Sequence, residues 1–231
     1  MRRVEAIVVG VGGMGSAAVY HLAKRGIDVL GLERFDIPNA EGSSHGVNRI
    51  IRLAYWEDPS YVPLLRRAYE LWRVLEHETG DRLLHITGSI DAWPPDSQTL
   101  RGALRSCAEH HLPHELLTAR ALKEKFPGYR LPDEMQAVYQ PDGGFVLSEQ
   151  AICSRVAAAQ TLGASVHARE AVQGFQPDGD NYVVQTERAA YRASRLVLTA
   201  GPWLGKLLPE LRDLAEPERQ VLLWAQPKRP E

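Results

Sequence analysis

The chain has 231 residues, of which 44% are hydrophobic and 24% are charged. That composition is typical of a soluble globular protein, and the length allows one large domain or two small ones. The 27 basic and 29 acidic residues give a formal charge of −2, so no basic field points to nucleic acid or an anionic membrane as a partner.

The cysteines and the hydropathy pattern indicate in which cellular compartment the protein is expected. Cys107 and Cys153 stand in no spacing that metal sites use, so neither a disulfide framework nor a metal site is predicted. No apolar run reaches the roughly 20 residues of a membrane span. The N-terminal arginines precede only a short apolar run, which passes directly into a glycine pattern, so no signal peptide is predicted. A cytoplasmic protein is expected.

The first elements along the chain predict a strand–helix–strand unit. Residues 4–9 form a short β-branched run, typical of a buried parallel strand. Residues 14–25 place apolar side chains at helical spacing and stop at Gly26. Residues 27–32 predict the second strand, which ends at Glu33. A unit of about 30 residues has the length expected of β-α-β.

Between the first strand and the helix lies GVGGMG, residues 10–15, which matches the dinucleotide fingerprint G-x-G-x-x-G. Gly10 permits the tight turn, Gly12 lets the backbone approach a pyrophosphate, and Gly15 allows close packing of helix on strand. Glu33 follows Gly15 by eighteen residues, where an acid accepts hydrogen bonds from ribose hydroxyls. An adenine dinucleotide is therefore predicted. The alternative is a merely structural glycine turn.

The later elements do not continue a simple alternation. Helices are predicted over 61–79, 97–111 and 148–163, the last with Ser148 as N-cap. Short strands are predicted around 166 and over 172–175, 182–186, 196–199 and 220–225. An NAD enzyme of the doubly wound type continues with alternating strands and helices, so this interleaving favours FAD over NAD.

The segment EGSSHGVNRIIRLAY, residues 41–55, is unusual for a surface connector. It groups small residues and then sets Arg49 and Arg52 three apart beside two isoleucines. A guanidinium carries a permanent charge and presents a planar fork to a carboxylate. The two arginines share a face only if the segment is helical, because in a strand they diverge. The alternative is a pair of surface ion-pair residues.

Four stretches resemble a known family: VVGVGGMGSAAVYHLAKRG, LERFDIPNAEGSSHGVNRIIRLAY, YVPLLRRAYELWRVLEHETG and TAGPWLGKLL. The family is that of monomeric sarcosine oxidase and N-methyltryptophan oxidase, which are D-amino-acid-oxidase-like FAD-dependent oxidoreductases. The resemblance implies an α/β fold in which a Rossmann-like FAD-binding domain is interleaved with an α+β substrate domain on a large mixed sheet. The implied segments are 1–83 and 141–208 for the FAD-binding domain, and 84–140 and 209–231 for an incomplete substrate domain.

The resemblance also implies roles for individual residues. Arg49 would lie beside the flavin ring and Arg52 would pair with the substrate carboxylate, so these two are the catalytic candidates. Val172 would contact the adenine through its backbone. The full set of cofactor-binding candidates is Gly10, Gly12, Gly13, Met14, Gly15, Glu33, Arg34, Ser43, Ser44, His45, Arg49, Val172, Ala200, Gly201 and Trp203.

The implied activity is oxidation of a secondary or N-methyl amino acid to an imine, with O₂ reduced to hydrogen peroxide by a monomeric enzyme. In the family, the flavin-attaching cysteine and the oxygen-activating lysine lie beyond the position of residue 231. Neither cysteine of this chain occupies the attachment position. We therefore expect a truncated oxidase with weak or no activity by itself. Two alternatives stay open: an NAD-dependent dehydrogenase and a truncated non-catalytic dinucleotide-binding protein.

Overall fold

The computed structural model describes residues 1–226 of the chain. In chain order the strands are β1 Arg2–Val9, β2 Val29–Leu32, β3 Arg49–Ile51, β4 Leu84–Ile86, β5 Ser89–Trp93, β6 Glu115–Thr118, β7 Gln136–Gln140, β8 Gly144–Val146, β9 Ser165–His167, β10 Val172–Asp178, β11 Asn181–Thr186 and β12 Ala190–Leu198. The helices are α1 Gly13–Lys24, α2 Tyr61–Thr79, α3 Gln98–His110, α4 Ala119–Lys125, α5 Ser148–Thr161 and α6 Leu204–Leu207, with 3₁₀ turns at Gly201–Trp203 and Pro209–Leu211.

These elements form two units. The first unit comprises Met1–Val47 and Leu147–Leu222, and the second comprises Asn48–Val146 together with the described residues 223–226. The second unit is thus inserted into the sequence of the first, which is the interleaving that the sequence predicts. The assignment of 1–83 and 141–208 to a cofactor domain, and of 84–140 and 209–231 to a substrate domain, stays a prediction. The last five residues of the predicted substrate domain, 227–231, lie outside the described part of the chain.

The first unit is built on a six-stranded sheet in the order β10-β11-β12-β1-β2-β9. β1 pairs in parallel with β12 and β2, and β2 pairs in parallel with β9, whereas β10, β11 and β12 form an antiparallel meander. Residues 6–9 of β1 and all of β2 are apolar and buried because the centre of a parallel sheet is covered on both faces. Ile7, Leu30 and Val184 are fully buried in this core. The predicted α/β class is confirmed.

A buried carboxylate joins the parallel and antiparallel parts of this sheet. Glu170 is 2% exposed and accepts hydrogen bonds from Thr186 Oγ1 at 2.8 Å and from the Tyr191 hydroxyl at 2.7 Å. His167 Nδ1 lies 2.9 Å from its other oxygen. Burial raises the pKa of Glu170, but the hydrogen bonds from Tyr191, Thr186 and His167 outweigh it, so the pKa is below its ordinary value.

The second unit contains two three-stranded antiparallel sheets, β3-β8-β4 and β5-β7-β6. Its amphipathic helix α2 has the predicted bounds and ends at Gly80, which adopts φ +77. Left-handed backbone at that position favours glycine and ends the helix. Leu53, Val62 and Cys107 are buried in the core of this unit. No helix among residues 1–226 is long and apolar enough to cross a membrane.

Two predictions of local structure are wrong. Residues 220–225 form no strand, although their composition favours one, because a strand needs a paired neighbour and no described strand pairs with this segment. Ser148 is not the N-cap of α5 but its first residue, and Leu147 occupies the cap position. The Ser148 hydroxyl instead donates a hydrogen bond to the Gly46 carbonyl oxygen at 2.9 Å, which holds the preceding loop.

Candidate cofactor-binding site

The first unit contains a cavity of about 370 Å³ at the carboxyl ends of β1 and β2. In open α/β sheets this is the edge at which ligands bind. The cavity wall includes thirteen of the predicted cofactor-binding residues: Gly10, Gly12, Gly13, Met14, Glu33, Arg34, Ser43, Ser44, His45, Val172, Ala200, Gly201 and Trp203. Segments far apart in the sequence therefore meet around one space. The contact of each with a cofactor stays a prediction.

The glycine turn after β1 has the conformation that its sequence requires. Gly10 adopts φ +93, and a Cβ there would lie 2.5 Å from the Thr199 carbonyl oxygen. A Cβ on Gly15 would overlap the Gly10 carbonyl oxygen, so only glycine lets α1 pack this close to β1. A Cβ on Gly13 would lie 2.5 Å from Ser44 Oγ. Of the fifteen predicted residues, Gly15 and Arg49 do not line the cavity, and Gly15 acts through packing.

The N-terminus of α1 is left open towards the cavity. Gly12 is the N-cap residue, it offers no side-chain cap, and the first turn contains no acidic residue. A Cβ on Gly12 would meet no protein atom within 4 Å. Free backbone N–H groups and the positive end of the helix dipole together suit a phosphate group. The residues at this end of the cavity therefore fit the pyrophosphate of a dinucleotide.

Glu33 has a structural role in addition to the predicted ribose contact. It is 6% exposed and its Oε2 accepts a hydrogen bond from the Val11 N–H at 2.7 Å. Its Oε1 accepts from the Phe35 N–H at 3.0 Å. A carboxylate has about four acceptor positions, so acceptor capacity remains for ribose hydroxyls. Glu33 thus fixes the glycine turn and lines the cavity at the same time.

The segment that carries Ser43, Ser44 and His45 is held by the start of α5. Glu149 Oε1 lies 2.8 Å from His45 Nδ1 and accepts a hydrogen bond from the Gly46 N–H at 2.9 Å. Glu149 also lies in the first turn of α5, where a negative charge is favourable. Sequence reasoning missed this residue because no motif marks it.

The remaining wall of the cavity comes from β10 and the turn after β12. Val172 is the first residue of β10. Gly201 adopts φ +51 in the turn, and the Trp203 ring packs against Phe35 with centroids 5.2 Å apart. Phe35 also lies 5.5 Å from the Arg34 guanidinium. Phe35 and Trp203 thus contribute aromatic side chains to the cavity wall.

Arg49 and Arg52, the catalytic candidates, belong to the second unit. Arg49 is in β3 and donates a hydrogen bond to the Asn48 carbonyl oxygen at 2.7 Å. The segment is a strand, so the two arginines do not share a helical face. Arg52 Nε lies 3.1 Å from Asp91 Oδ2, and its guanidinium stacks 5.1 Å from the Tyr55 ring.

Asp91 therefore already provides Arg52 with a carboxylate partner. Both side chains are about one-fifth exposed, at 19% for Arg52 and 21% for Asp91. Burial raises the pKa of Asp91, and the positive charge of Arg52 opposes this rise. The Gln140 Oε1 atom accepts hydrogen bonds from the Leu53 and Ala54 N–H groups, which holds the chain directly after Arg52.

Comparison with known proteins identifies the family. The DAO family model, described as FAD dependent oxidoreductase, matches residues 5–231. Monomeric sarcosine oxidase of Streptomyces avermitilis is 41% identical over 224 residues, and N-methyl-L-tryptophan oxidase of Yersinia pestis is 36% identical over 222 residues. These alignments cover 97% and 96% of the chain but 58% and 59% of the relatives. The chain thus spans a little under three-fifths of their length.

Solved structures agree with this assignment. NikD, an unusual amino acid oxidase essential for nikkomycin biosynthesis, superposes with a TM-score of 0.83 at 32% identity, over 91% of this chain and 55% of that one. Glycine oxidase from Geobacillus kaustophilus shares the fold, with a TM-score of 0.77 at 22% identity over 91% of this chain and 59% of that one. The family resemblance predicted from the sequence is confirmed, and the chain belongs to the DAO family of FAD dependent oxidoreductases.

Proposed function

We propose that the protein is an FAD-dependent amine oxidoreductase that oxidises a secondary or N-methyl amino acid to an imine, with O₂ reduced to hydrogen peroxide. The observation that carries the proposal is the cavity at the uncapped N-terminus of α1, lined by the glycine turn, Glu33 and the 43–45 segment. Bound FAD would supply the acceptor for the hydride equivalent that leaves the carbon next to the amine. The family, FAD dependent oxidoreductase, supports this cofactor.

The protein's own residues would bind and orient. The N–H groups of the glycine turn would hold the pyrophosphate, Glu33 would accept from the ribose, and the Val172 backbone would contact the adenine. Arg49 would supply positive charge to the flavin region. Arg52 would pair with the substrate carboxylate, in competition with Asp91. The names of the sarcosine oxidase and N-methyltryptophan oxidase relatives support a small amine with a carboxylate as the substrate class.

An absorption spectrum of the purified 231-residue chain after incubation with FAD tests this proposal. We expect a bound flavin spectrum that bleaches only slowly under anaerobic conditions when sarcosine or N-methyltryptophan is added, with correspondingly slow peroxide formation on readmission of air, because the chain spans a little under three-fifths of its relatives. Bound flavin without bleaching would favour the non-catalytic dinucleotide-binding protein. A colourless protein that changes nicotinamide fluorescence would favour the NAD-dependent dehydrogenase. Use of O₂, the monomeric state and the cytoplasmic location stay predictions.

The Arg52–Asp91 pair gives a second test. In Asp91→Asn the competing carboxylate is lost, so we expect a small carboxylate such as acetate to bind the FAD-loaded chain about three- to tenfold more tightly. Titration of the flavin absorption with acetate measures this affinity. Asp178→Asn is the matched control, because Asp178 pairs with Arg192 at 2.9 Å in the first unit. Unchanged or weaker acetate binding in Asp91→Asn would argue against a substrate role for Arg52.

A further inference from the structure

The Arg155 side chain on α5 contacts the start of α1, directly after the glycine turn. Helix α5 packs beside α1 in the first unit. Ile152 lines the cavity, and Arg155 lies three residues further along the same helix, so both are on one face. The Arg155 Nη1 atom donates a hydrogen bond to the Gly13 carbonyl oxygen at 3.1 Å. Gly13 itself lines the cavity at the first turn of α1.

Arg155 places a positive charge beside the N-terminus of α1. The N-terminus of a helix carries a partial positive charge, so a second positive charge there is repelled. Arg155 is also partly buried, and that burial lowers its pKa to about 10, an effect that the nearby Tyr20 partly offsets. The first turn of α1 contains no acidic residue. An anion bound at this end of α1 would be attracted by both positive charges.

We propose that Arg155 is a positioning residue for the diphosphate of the cofactor, acting through the Gly13 carbonyl. It fixes the first turn of α1 and adds a permanent positive charge behind the N–H groups that face the phosphates. Arg155 does not touch the cofactor in this proposal. The inference rests on the proposed dinucleotide binding and names a residue that the G-x-G-x-x-G pattern does not contain.

The test compares ligands with and without the diphosphate. ADP, adenosine and FAD are titrated by calorimetry into the 231-residue chain and into Arg155→Met and Arg155→Lys. We expect Arg155→Met to weaken ADP and FAD binding roughly tenfold while adenosine binding changes less than about twofold. Arg155→Lys should restore most of the loss because it keeps the charge. The affinity for ADP should also fall less steeply with salt in Arg155→Met than in the original chain.

Other results overturn the inference. Equal losses for ADP and adenosine would mean that Arg155 only supports the fold, and unchanged ADP binding in Arg155→Met would mean that its charge has no part in binding. Either result leaves the proposed function standing. An original chain that binds neither ADP nor FAD would overturn both proposals. If Arg155→Met does not fold, Arg155→Gln compared with Arg155→Lys provides the same contrast between a neutral and a charged side chain.

Discussion

Replacement of Gly15 by alanine is expected to destabilise the protein by about 3 kcal/mol or more, because the new Cβ would overlap the Gly10 carbonyl oxygen. That carbonyl has little freedom to move. It accepts a hydrogen bond from Thr199 Oγ1 at 2.8 Å, and the Gly10 N–H donates to the Leu32 carbonyl oxygen at 2.8 Å. The methyl group would also approach Thr199 Oγ1 to 2.8 Å. The clash is therefore with backbone fixed on two sides.

Thermal and urea unfolding measure this effect. A loss of about 3 kcal/mol corresponds to a decrease in Tm of about 6–12 °C for a chain of this length. Gly174→Ala is the matched control, because a Cβ at Gly174 would meet no heavy atom within 4 Å. If Gly15→Ala had the same Tm as Gly174→Ala, the close approach of α1 to β1 would not be required for stability.

The elements around Gly15 could be predicted from the sequence because their signals are local. A short β-branched run, a glycine turn and an apolar helical repeat are contiguous, and each residue type has the backbone freedom or the packing that its position needs. The rest of the cavity wall does not follow from local signals: Ser43, Val172 and Trp203, which line it, are implied only by the family resemblance.

Features that depend on pairing between distant segments could not be predicted in this way. The 49–51 segment is a strand because it pairs with β8, which follows it only after three helices and four strands. The strand predicted over 220–225 fails for the converse reason, since composition alone provides no partner. Asp91, Glu149 and Arg155 carry no motif. Their contacts with Arg52, Gly46 and Gly13 exist only once the chain is folded.

Replacement of Gly12 by alanine is expected to have the opposite profile to Gly15→Ala, with a large loss of binding and little loss of stability. Gly12 has φ −78, which any residue can adopt, and its Cβ would meet no protein atom within 4 Å. Reduced freedom of the unfolded chain favours alanine, whereas helix capping favours glycine, so the net change in stability should stay within about 1 kcal/mol.

The open space beside Gly12 belongs to the cavity, where the backbone must come close to a diphosphate. A methyl group there would displace the phosphates from the N–H groups of α1, and the loss of those hydrogen bonds should weaken ADP and FAD binding by about 100-fold or more. Calorimetric titration and unfolding of Gly12→Ala, with Gly174→Ala as the control, measure both quantities. An unchanged affinity for ADP in a stable Gly12→Ala variant would show that the glycine turn only packs α1 against β1. The G-x-G-x-x-G pattern would then be structural in this chain, which is the alternative that the sequence left open.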